Sequence, residues 1–202
     1  IISIKETSNR EHEGATEIFI SMPDKENIFA TVAIVLDQLN LDIHDARIYN
    51  SSSGYTIDTF YVLDENGESI GDDPARVLAI KKTLERELLA DEDDFDAISR
   101  RTPRQLKHFT MPTSTSITLD EYHNCSVLEV ISPDRPGLLA RIGQVFKTFN
   151  IQLQNARIAT LGERVEDIFF ICNQNGQPLE DPQLRQQLQD EICRQLDKEV
   201  ES

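Results

Sequence analysis

Apolar residues follow the same order of patterns twice along this chain. A short apolar run lies at residues 17–21 and again at 126–131, and its content of Ile, Val, Leu and Phe predicts a buried strand. After a Pro-Asp turn, apolar residues recur at the helical spacing i, i+3, i+4, i+7 over 28–39 and 138–149. Each copy is therefore predicted to begin with a strand, a tight turn and an amphipathic helix.

Two further strands and a second helix complete each copy. Asn40 and Asn150 end the first helices, since Asn tolerates the left-handed backbone at a helix C-terminus. Short turns then join alternating strands as hairpins, and a second helix begins after Pro74 or Pro182, because proline is favoured in the first helical turn. The predicted hairpin strands are 41–49, Tyr55–Leu63, 151–160 and Arg164–Cys172.

Residues 17–67 are in fact duplicated at 127–176. Asn150 lies 110 positions after Asn40, and many other residues are identical at the same offset. A period this long is typical of a duplicated small domain rather than a solenoid, and we expect the seam between the copies to bind a ligand. The other identical pairs are Pro23 and Pro133, Asp24 and Asp134, Ala30 and Ala140, Val35 and Val145, Ala46 and Ala156, Arg47 and Arg157, and Ile48 and Ile158.

The order β-α-β-β-α in each copy predicts an α+β fold of two tandem ferredoxin-like domains, each an antiparallel sheet with helices on one face. The chain ends soon after the last helix of the second copy, which leaves no room there for the usual final strand. Apolar segments at 1–5 and 116–119 are candidates for the empty sheet edges. We place the first domain at 1–89, a linker at 90–112 and the second domain at 113–202.

Composition narrows the function. A net charge of −16 argues against a general phosphate-backbone binder and against anionic membranes, so we expect neither nucleic acid nor membrane as a partner. The three cysteines, Cys125, Cys172 and Cys193, are odd in number and lack CxxC spacing, which predicts reduced thiols in a cytoplasmic protein. Because the chain begins at Ile1 and not Met, we expect it to be part of a longer protein.

Catalytic motifs are missing from the sequence. The four histidines lack metal-ligand spacing, and no GxGxxG, Walker or GxSxG motif occurs. We therefore predict that the chain itself is not an enzyme and holds neither a metal nor a cofactor.

Residues 132–139 form the sharpest local motif, between a predicted strand and the first turn of a helix. Gly137 would let a ligand approach the backbone, and the N–H groups of Leu138 and Leu139 would lie at the positive end of the helix, where a small carboxylate binds well. The alternative is a tight strand-to-helix turn with Asp134 as the helix cap. The residues alone do not decide between these interpretations.

Residues 134–140, 150–151 and 156–158 together resemble the ACT domain, a βαββαβ module that binds amino acids and regulates attached enzymes. Residues 14–20, 44–48, 58–60, 106–109 and 162–167 extend the resemblance, over nearly the whole chain, to the C-terminal tandem ACT domains of the bacterial PII uridylyltransferase/uridylyl-removing enzymes. That resemblance implies glutamine sensing and allosteric control of nitrogen metabolism. It also implies that the catalytic domains, which would use Mg and UTP on the PII protein, lie elsewhere in the polypeptide.

The resemblance also implies ligand-binding residues, mainly in the second copy. We expect Asn150 and Gln152 to lie close to the glycine loop and Asp134 to take the ligand's ammonium. The first copy has Asn27 where the second has Gly137, so we expect one dominant site per chain. The main candidates are Asp134, Arg135, Pro136, Gly137, Leu138, Leu139, Asn150 and Gln152, and a possible second site comprises Asp24, Asn27, Ile28, Asn40 and Asp42.

Two other classes of function stay open. One is an ACT pair that senses another amino acid, or that serves as an interdomain docking module or associates with other ACT domains without a ligand. The other is a ferredoxin-like RNA-binding module, which needs exposed aromatic side chains on the sheet and a basic surface. The aromatic content of 6% and the acidic charge argue against the second class.

Overall fold

A computed structural model describes residues 1–7, 12–25, 28–51, 53–71, 73–90, 111–135, 137–161 and 163–197. The chain divides into two compact units, 1–102 and 103–202. Residues 91–110, which include most of the predicted linker, lie outside the described residues, and so do Asn27 and Pro136 among the candidate site residues. The predicted domain limits therefore remain a prediction.

The first unit is an antiparallel sheet with two helices in its described part. Its strands lie in the order β1-β2-β4-β3. The elements are β1 (Ile2–Glu6), β2 (Thr16–Pro23), α1 (Ile28–Gln38), β3 (Asp42–Asn50), β4 (Tyr55–Leu63) and α2 (Pro74–Leu89).

The second unit repeats this plan, with the main strand order β5-β6-β9-β7 and with β8 also paired to β9. Its elements are β5 (Ser114–Asp120), β6 (Cys125–Pro133), α3 (Leu138–Thr148), β7 (Gln152–Arg157), β8 (Thr160–Leu161), β9 (Arg164–Cys172) and α4 (Pro182–Asp197). The predicted strand at 151–160 is therefore interrupted after Arg157. The predicted strands at 55–63 and 164–172 are confirmed in full.

The apolar segments that precede each copy supply the edge strands, as the sequence suggests. β1 pairs with β2, with Ile2 opposite Ile20, and β5 pairs with β6, with Ser114 opposite Ile131. Both pairings are antiparallel, and Ile2 is buried beneath the helices of its unit. Each sheet is thus completed from the N-terminal side of its copy, and the fold needs no strand after the second helix.

Helices cover one face of each sheet. In the second unit the ring of Phe146 on α3 meets that of Phe169 on β9 edge-to-face, with centroids 5.5 Å apart. In the first unit Phe29 on α1 and Phe60 on β4 have centroids 6.5 Å apart. Alternate strand residues share a face, so the ring contacts identify which positions of β4 and β9 point towards the helices.

The predicted helix ends are also confirmed. Asn40 has φ 60° and Asn150 has φ 52°, the left-handed conformation that closes a helix C-terminus. At the start of α2 the carboxylate of Asp73 accepts hydrogen bonds from the N–H groups of Ala75 and Arg76, at 3.0 and 3.2 Å. Such caps satisfy the backbone donors that a helix N-terminus leaves without partners.

Candidate functional site

The candidate loop of the second unit, residues 134–139, connects β6 to α3. Its entry is fixed by a backbone hydrogen bond from the N–H of Asp134 to the carbonyl of Glu163, 2.8 Å, in the β8–β9 hairpin. The first unit makes the equivalent bond from Asp24 to Gly54, 2.9 Å. The loop therefore leaves the sheet in the same direction in both copies, at the end of the sheet where the hairpin turns.

Gly137 occupies the N-cap of α3 in a left-handed conformation, with φ 75° and ψ 9°. A side chain at this position is strained, and a β-branched one is strongly disfavoured. Valine at position 137 should therefore destabilise the second unit. Asp134 lies three residues before this N-cap, so the N-cap position belongs to Gly137 and not to Asp134.

The proposed carboxylate site does not keep both of the backbone donors that the sequence suggests. The N–H of Leu138 donates to the carbonyl of Arg135 at 3.2 Å, so it is already paired and is not free for the carboxylate that the sequence suggests. Among the described residues, the N–H of Leu139 makes no hydrogen bond to the protein. The N–H of Leu139, together with the helix dipole, is therefore available to a carboxylate at the helix N-terminus in the described structure.

Basic side chains join the loop to the end of the second helix. The Nη1 atoms of Arg135 and Arg141 donate to the carbonyls of Leu196, at 2.7 Å, and Gln195, at 3.0 Å. These carbonyls lie at the C-terminus of α4, where positive charge is favoured by the helix dipole. A guanidinium group of the 134–139 loop thus contacts α4, and any movement of that loop disturbs the contact.

The first unit makes a comparable connection with a different cation. Lys25, at the position of Arg135, donates from Nζ to the carbonyl of Ala90 at 2.5 Å, next to the end of α2. A link between the first loop and the second helix is therefore common to both copies, although Lys25 is a point charge and Arg135 a planar fork of donors.

Asn150 and Gln152 lie far from the loop of their own unit. Gln152 pairs with Cys172 at one end of β9, whereas Pro133, just before the loop, pairs with Arg164 at the other end. Eight residues of strand separate these pairs, which is roughly 26 Å. The expectation that Asn150 and Gln152 lie near the loop of the same unit is therefore wrong, because α3 runs the length of the sheet between them.

The residues of the possible second site are distributed in the same way. Asp24 is exposed in the loop before α1, and Ile28 is buried as the first residue of that helix. Asp42 pairs with Leu63 at the opposite end of the sheet, next to Asn40. The candidates of the first unit therefore form two separate groups as well.

A buried carboxyl group that the sequence analysis gave no role lies on the inner face of the second sheet. Asp167 is 1% exposed and lies on the same face of β9 as the buried Val165, Phe169 and Ile171. Its Oδ1 accepts a hydrogen bond from the N–H of Ala159 at 3.2 Å, while its Oδ2 has no hydrogen-bond partner in the described structure. Burial raises the pKa of Asp167 to about 7, and the negative charge of Asp134 contributes to the rise.

Asp58 is the equivalent group of the first unit, but its carboxylate is better satisfied. The hydroxyl of Thr56 donates to Asp58 Oδ1 at 2.5 Å, and a backbone bond from Tyr49 also stabilises the charged form. Burial still raises the pKa of Asp58, to about 6. An acidic residue at an inward position of an otherwise apolar strand, present in both copies, is the signal that could have identified this pair from the sequence.

The outer face of the first sheet, on the side away from the helices, carries tyrosine side chains. Tyr49 and Tyr55 are exposed there, and the ring of His12 stacks on Tyr61 with centroids 3.9 Å apart. Asp45 lies 3.1 Å from His12 Nε2 and 3.9 Å from the Nε of Arg47. This acid offsets the positive charge that a nucleic acid would need beside the tyrosines.

Comparison with known proteins identifies the fold. The model of the ACT domain family matches residues 126–189. The second unit is an ACT domain. The first unit has the same order of strands, helices and sheet neighbours, so both units have the ACT fold. The 126–189 match contains the 134–139 loop, Gly137 and Asp167.

The similarity to individual proteins extends over nearly the whole chain. It is 55% identical over 197 residues to the bifunctional uridylyltransferase/uridylyl-removing enzyme of Pseudomonas savastanoi pv. phaseolicola, and 54% identical to that of Pseudomonas fluorescens. These matches cover 97% of the chain but 22% of each relative, so the chain spans about a fifth of their length. Among solved structures, aspartate kinase from Synechocystis matches 92% of the chain and 28% of its own, with 18% identity and a TM-score of 0.48.

Metal ligands, membrane-crossing helices and cysteines are three further features of the described part of the ACT pair that bear on function. No group of three or more His, Cys, Asp or Glu side chains in that part could hold a metal ion. The described helices include none with the length and apolar character needed to cross a membrane. Cys125, Cys172 and Cys193 are free thiols, as predicted, and burial raises the pKa of Cys172 to about 11.

Proposed function

We propose that this ACT pair is the amino-acid-sensing, regulatory part of a bifunctional uridylyltransferase/uridylyl-removing enzyme, and that glutamine is its ligand. Similarity to such enzymes over 97% of the chain supports the assignment to that kind of protein. The catalytic domains, the PII protein and any Mg or UTP chemistry would then belong to the remaining four-fifths of the polypeptide. The cytoplasm, where that chemistry would take place, is the proposed location.

The observation that carries the proposal is the left-handed Gly137 at the start of α3. It leaves the backbone without a Cβ where a ligand would approach, beside the N–H of Leu139. A carboxylate there would gain a hydrogen bond and a favourable interaction with the helix dipole. Every α-amino acid carries such a carboxylate, so the seat suits the class and leaves the choice of side chain to other contacts.

The contact between Arg135 and the end of α4 offers a route from ligand to signal. A ligand seated on the 134–139 loop would change the position of Arg135 relative to the carbonyl of Leu196. Glutamine can shift the enzyme between states only by binding one arrangement more tightly, with a coupling of typically about 1–3 kcal/mol. The helix end is then the element whose two positions glutamine would bias.

Calorimetric titration of the chain with each of the twenty amino acids tests the proposal. We expect glutamine to bind at one dominant site per chain, in the second unit. The matched variant is Gly137→Asn, because Asn tolerates the left-handed conformation and is the residue that the first copy carries at position 27. This variant should keep its fold and lose at least about tenfold in glutamine affinity, which corresponds to about 1.4 kcal/mol.

The other outcomes distinguish the alternatives. Preference for a different amino acid would identify an ACT pair with another ligand, and binding of none of the twenty would favour an interdomain docking module. Two equal and independent glutamine sites per chain would refute the assignment to the second unit. Equal glutamine affinity in wild type and folded Gly137→Asn would show that the ligand does not use this loop.

A further inference from the structure

Asp167 stands out among the buried polar groups because one of its oxygens has no donor. The carboxyl lies on the helix-facing side of β9, three residues from the Arg164 that pairs with Pro133 at the start of the loop. Three residues of strand span roughly 10 Å, so Asp167 lies about that distance along β9 from the end of the sheet where the 134–139 loop begins. The negative charge of Asp134 in the loop contributes to the raised pKa of Asp167.

The internal repeat shows what a fully satisfied version of this position looks like. In the first unit the Thr56 hydroxyl fills one lone pair of Asp58. The second unit has Val165 at the position of Thr56, and the corresponding donor is therefore missing. A buried acceptor without a donor costs about 1–3 kcal/mol, and more when it is charged. Asp58 in the first unit thus has a hydroxyl donor within its own unit, whereas Oδ2 of Asp167 in the second unit is open to a donor from a ligand.

We propose that Asp167 binds the ammonium group of the ligand, and that this ion pair makes the second unit selective for molecules with an α-ammonium group. The inference rests on the proposed amino-acid-binding function and adds a residue to its site. An ammonium group has three N–H donors and no acceptor, so it matches an oxygen that has no donor. The ligand would lie between the helix N-terminus, which takes its carboxylate, and β9, which takes its ammonium.

This assignment moves the ammonium contact from Asp134 to Asp167 for a physical reason. Asp134 is exposed, and an ion pair at an exposed carboxylate contributes little because water screens it. Asp167 is shielded from water, where an ammonium would interact with it more strongly. Because the carboxyl is covered in the structure, the ligand must displace the side chains that now cover it.

The decisive experiment compares two ligands on two matched variants of the chain. Glutaramate has the carboxylate and side-chain amide of glutamine but lacks the α-ammonium group. In Asp167→Asn we expect glutamine affinity to fall by about tenfold or more, as for loss of a charge-assisted hydrogen bond, and glutaramate affinity to stay within about twofold. Asp58→Asn makes the same change in the first unit and should leave both affinities unchanged.

The pH profile of glutamine binding to the wild type provides a second readout. Protonation of Asp167 removes the ion pair, so affinity should rise between pH 6 and 8 and level off once the carboxyl is charged. Asp134 is the charged group that acts on Asp167 from the loop. Asp167→Asn should abolish the rise, which a merely structural role of Asp167 would not predict.

Val165→Thr keeps the test valid if Asp167→Asn fails to fold. It supplies Asp167 with the hydroxyl that Thr56 gives Asp58, so the fold should be retained and glutamine affinity should fall. Wild-type glutamine affinity in both Asp167→Asn and Val165→Thr would overturn the inference and leave the proposed function intact. Absence of glutamine binding to the wild type would instead overturn the proposed function, and this inference with it.

Discussion

The stability of the second unit should depend on pH through one buried group, and replacing Asp167 by Asn should remove that dependence. Asn has nearly the same shape as Asp but cannot ionise. The pKa of Asp167 is raised by burial from 3.8 to about 7 in the folded chain. Between these values the folded state binds more protons than the unfolded state, so stability falls as pH rises through this window.

The magnitude follows from the pKa shift. The rise of the pKa of Asp167 from 3.8 to about 7, at 1.36 kcal/mol for each step of one in pKa, places the full cost of ionising this carboxyl at about 4 kcal/mol above pH 7. Integrated from pH 5 to 8, the wild-type unit should lose about 3 kcal/mol relative to Asp167→Asn. The comparison between pH values cancels the constant cost of burying the amide, which differs between the two proteins but does not titrate.

Hydrogen exchange followed by mass spectrometry measures the stability of each unit at each pH, because peptides from β9 and β4 report on the two units separately. The free energy from the most protected β9 amides approximates that of unfolding the second unit, after correction for the intrinsic exchange rate at each pH. Asp58→Asn is the control. Its carboxyl has a pKa of about 6, so the matching effect in β4 should be only about 1 kcal/mol over the same pH range.

Parallel pH profiles for the β9 peptides of wild type and Asp167→Asn would refute the reasoning. They would mean that the Asp167 carboxylate is hydrated or gains a hydrogen-bond partner when it ionises. The inference that Oδ2 accepts a hydrogen bond from a ligand would then fail as well. A slope of opposite sign would mean that the fold stabilises the charged form of Asp167.

Three further outcomes are expected. Gly137→Val should destabilise the second unit by about 1–3 kcal/mol in denaturant titrations, and Gly137→Asn by much less, because only Asn accepts a positive φ readily. Arg135→Met should lower stability by about 1 kcal/mol in the same assay by removing the donor to Leu196, and a loss no larger than for exposed Lys82→Met would contradict this. Asn150→Gly should keep both the left-handed turn and the glutamine affinity measured by calorimetry, since Asn150 lies at the far end of the sheet.

Most of the fold follows from the periodicity of the sequence. Strand and helix patterns alternate clearly, and the same order of elements is predicted independently in both copies. The limits of the predicted strand at 151–160 were wrong because alternation continues through Ile158, which is buried, although the backbone leaves the ladder after Arg157. Local pattern records which side chains are buried, and it does not record where hydrogen-bonded pairing stops.

The site was harder to predict than the fold because its parts depend on three-dimensional position. The 134–139 loop was found from Gly137, whose φ of 75° requires glycine or a close substitute. Asn150 was wrongly placed beside it, since a helix of eleven residues carries the chain about 16 Å along the sheet before Asn150 is reached. Asp167 does not stand out in the sequence, because a single acidic residue in an apolar strand does not indicate a site until its hydrogen-bond partners are known.

The differences between the two copies, taken together, favour the second unit as the one that responds to a ligand. The second copy combines a glycine in the loop with an acid whose oxygen has no donor, and the first has Asn27 and Thr56 at the same two positions. A site that is destabilised when empty gains more from its ligand than one that is satisfied internally. Ligand binding stabilises the bound form by mass action, and the gain is then concentrated in the second unit, where Arg135 contacts α4. A regulatory pair needs such a difference between empty and occupied states, and a fully satisfied copy such as the first could not provide it.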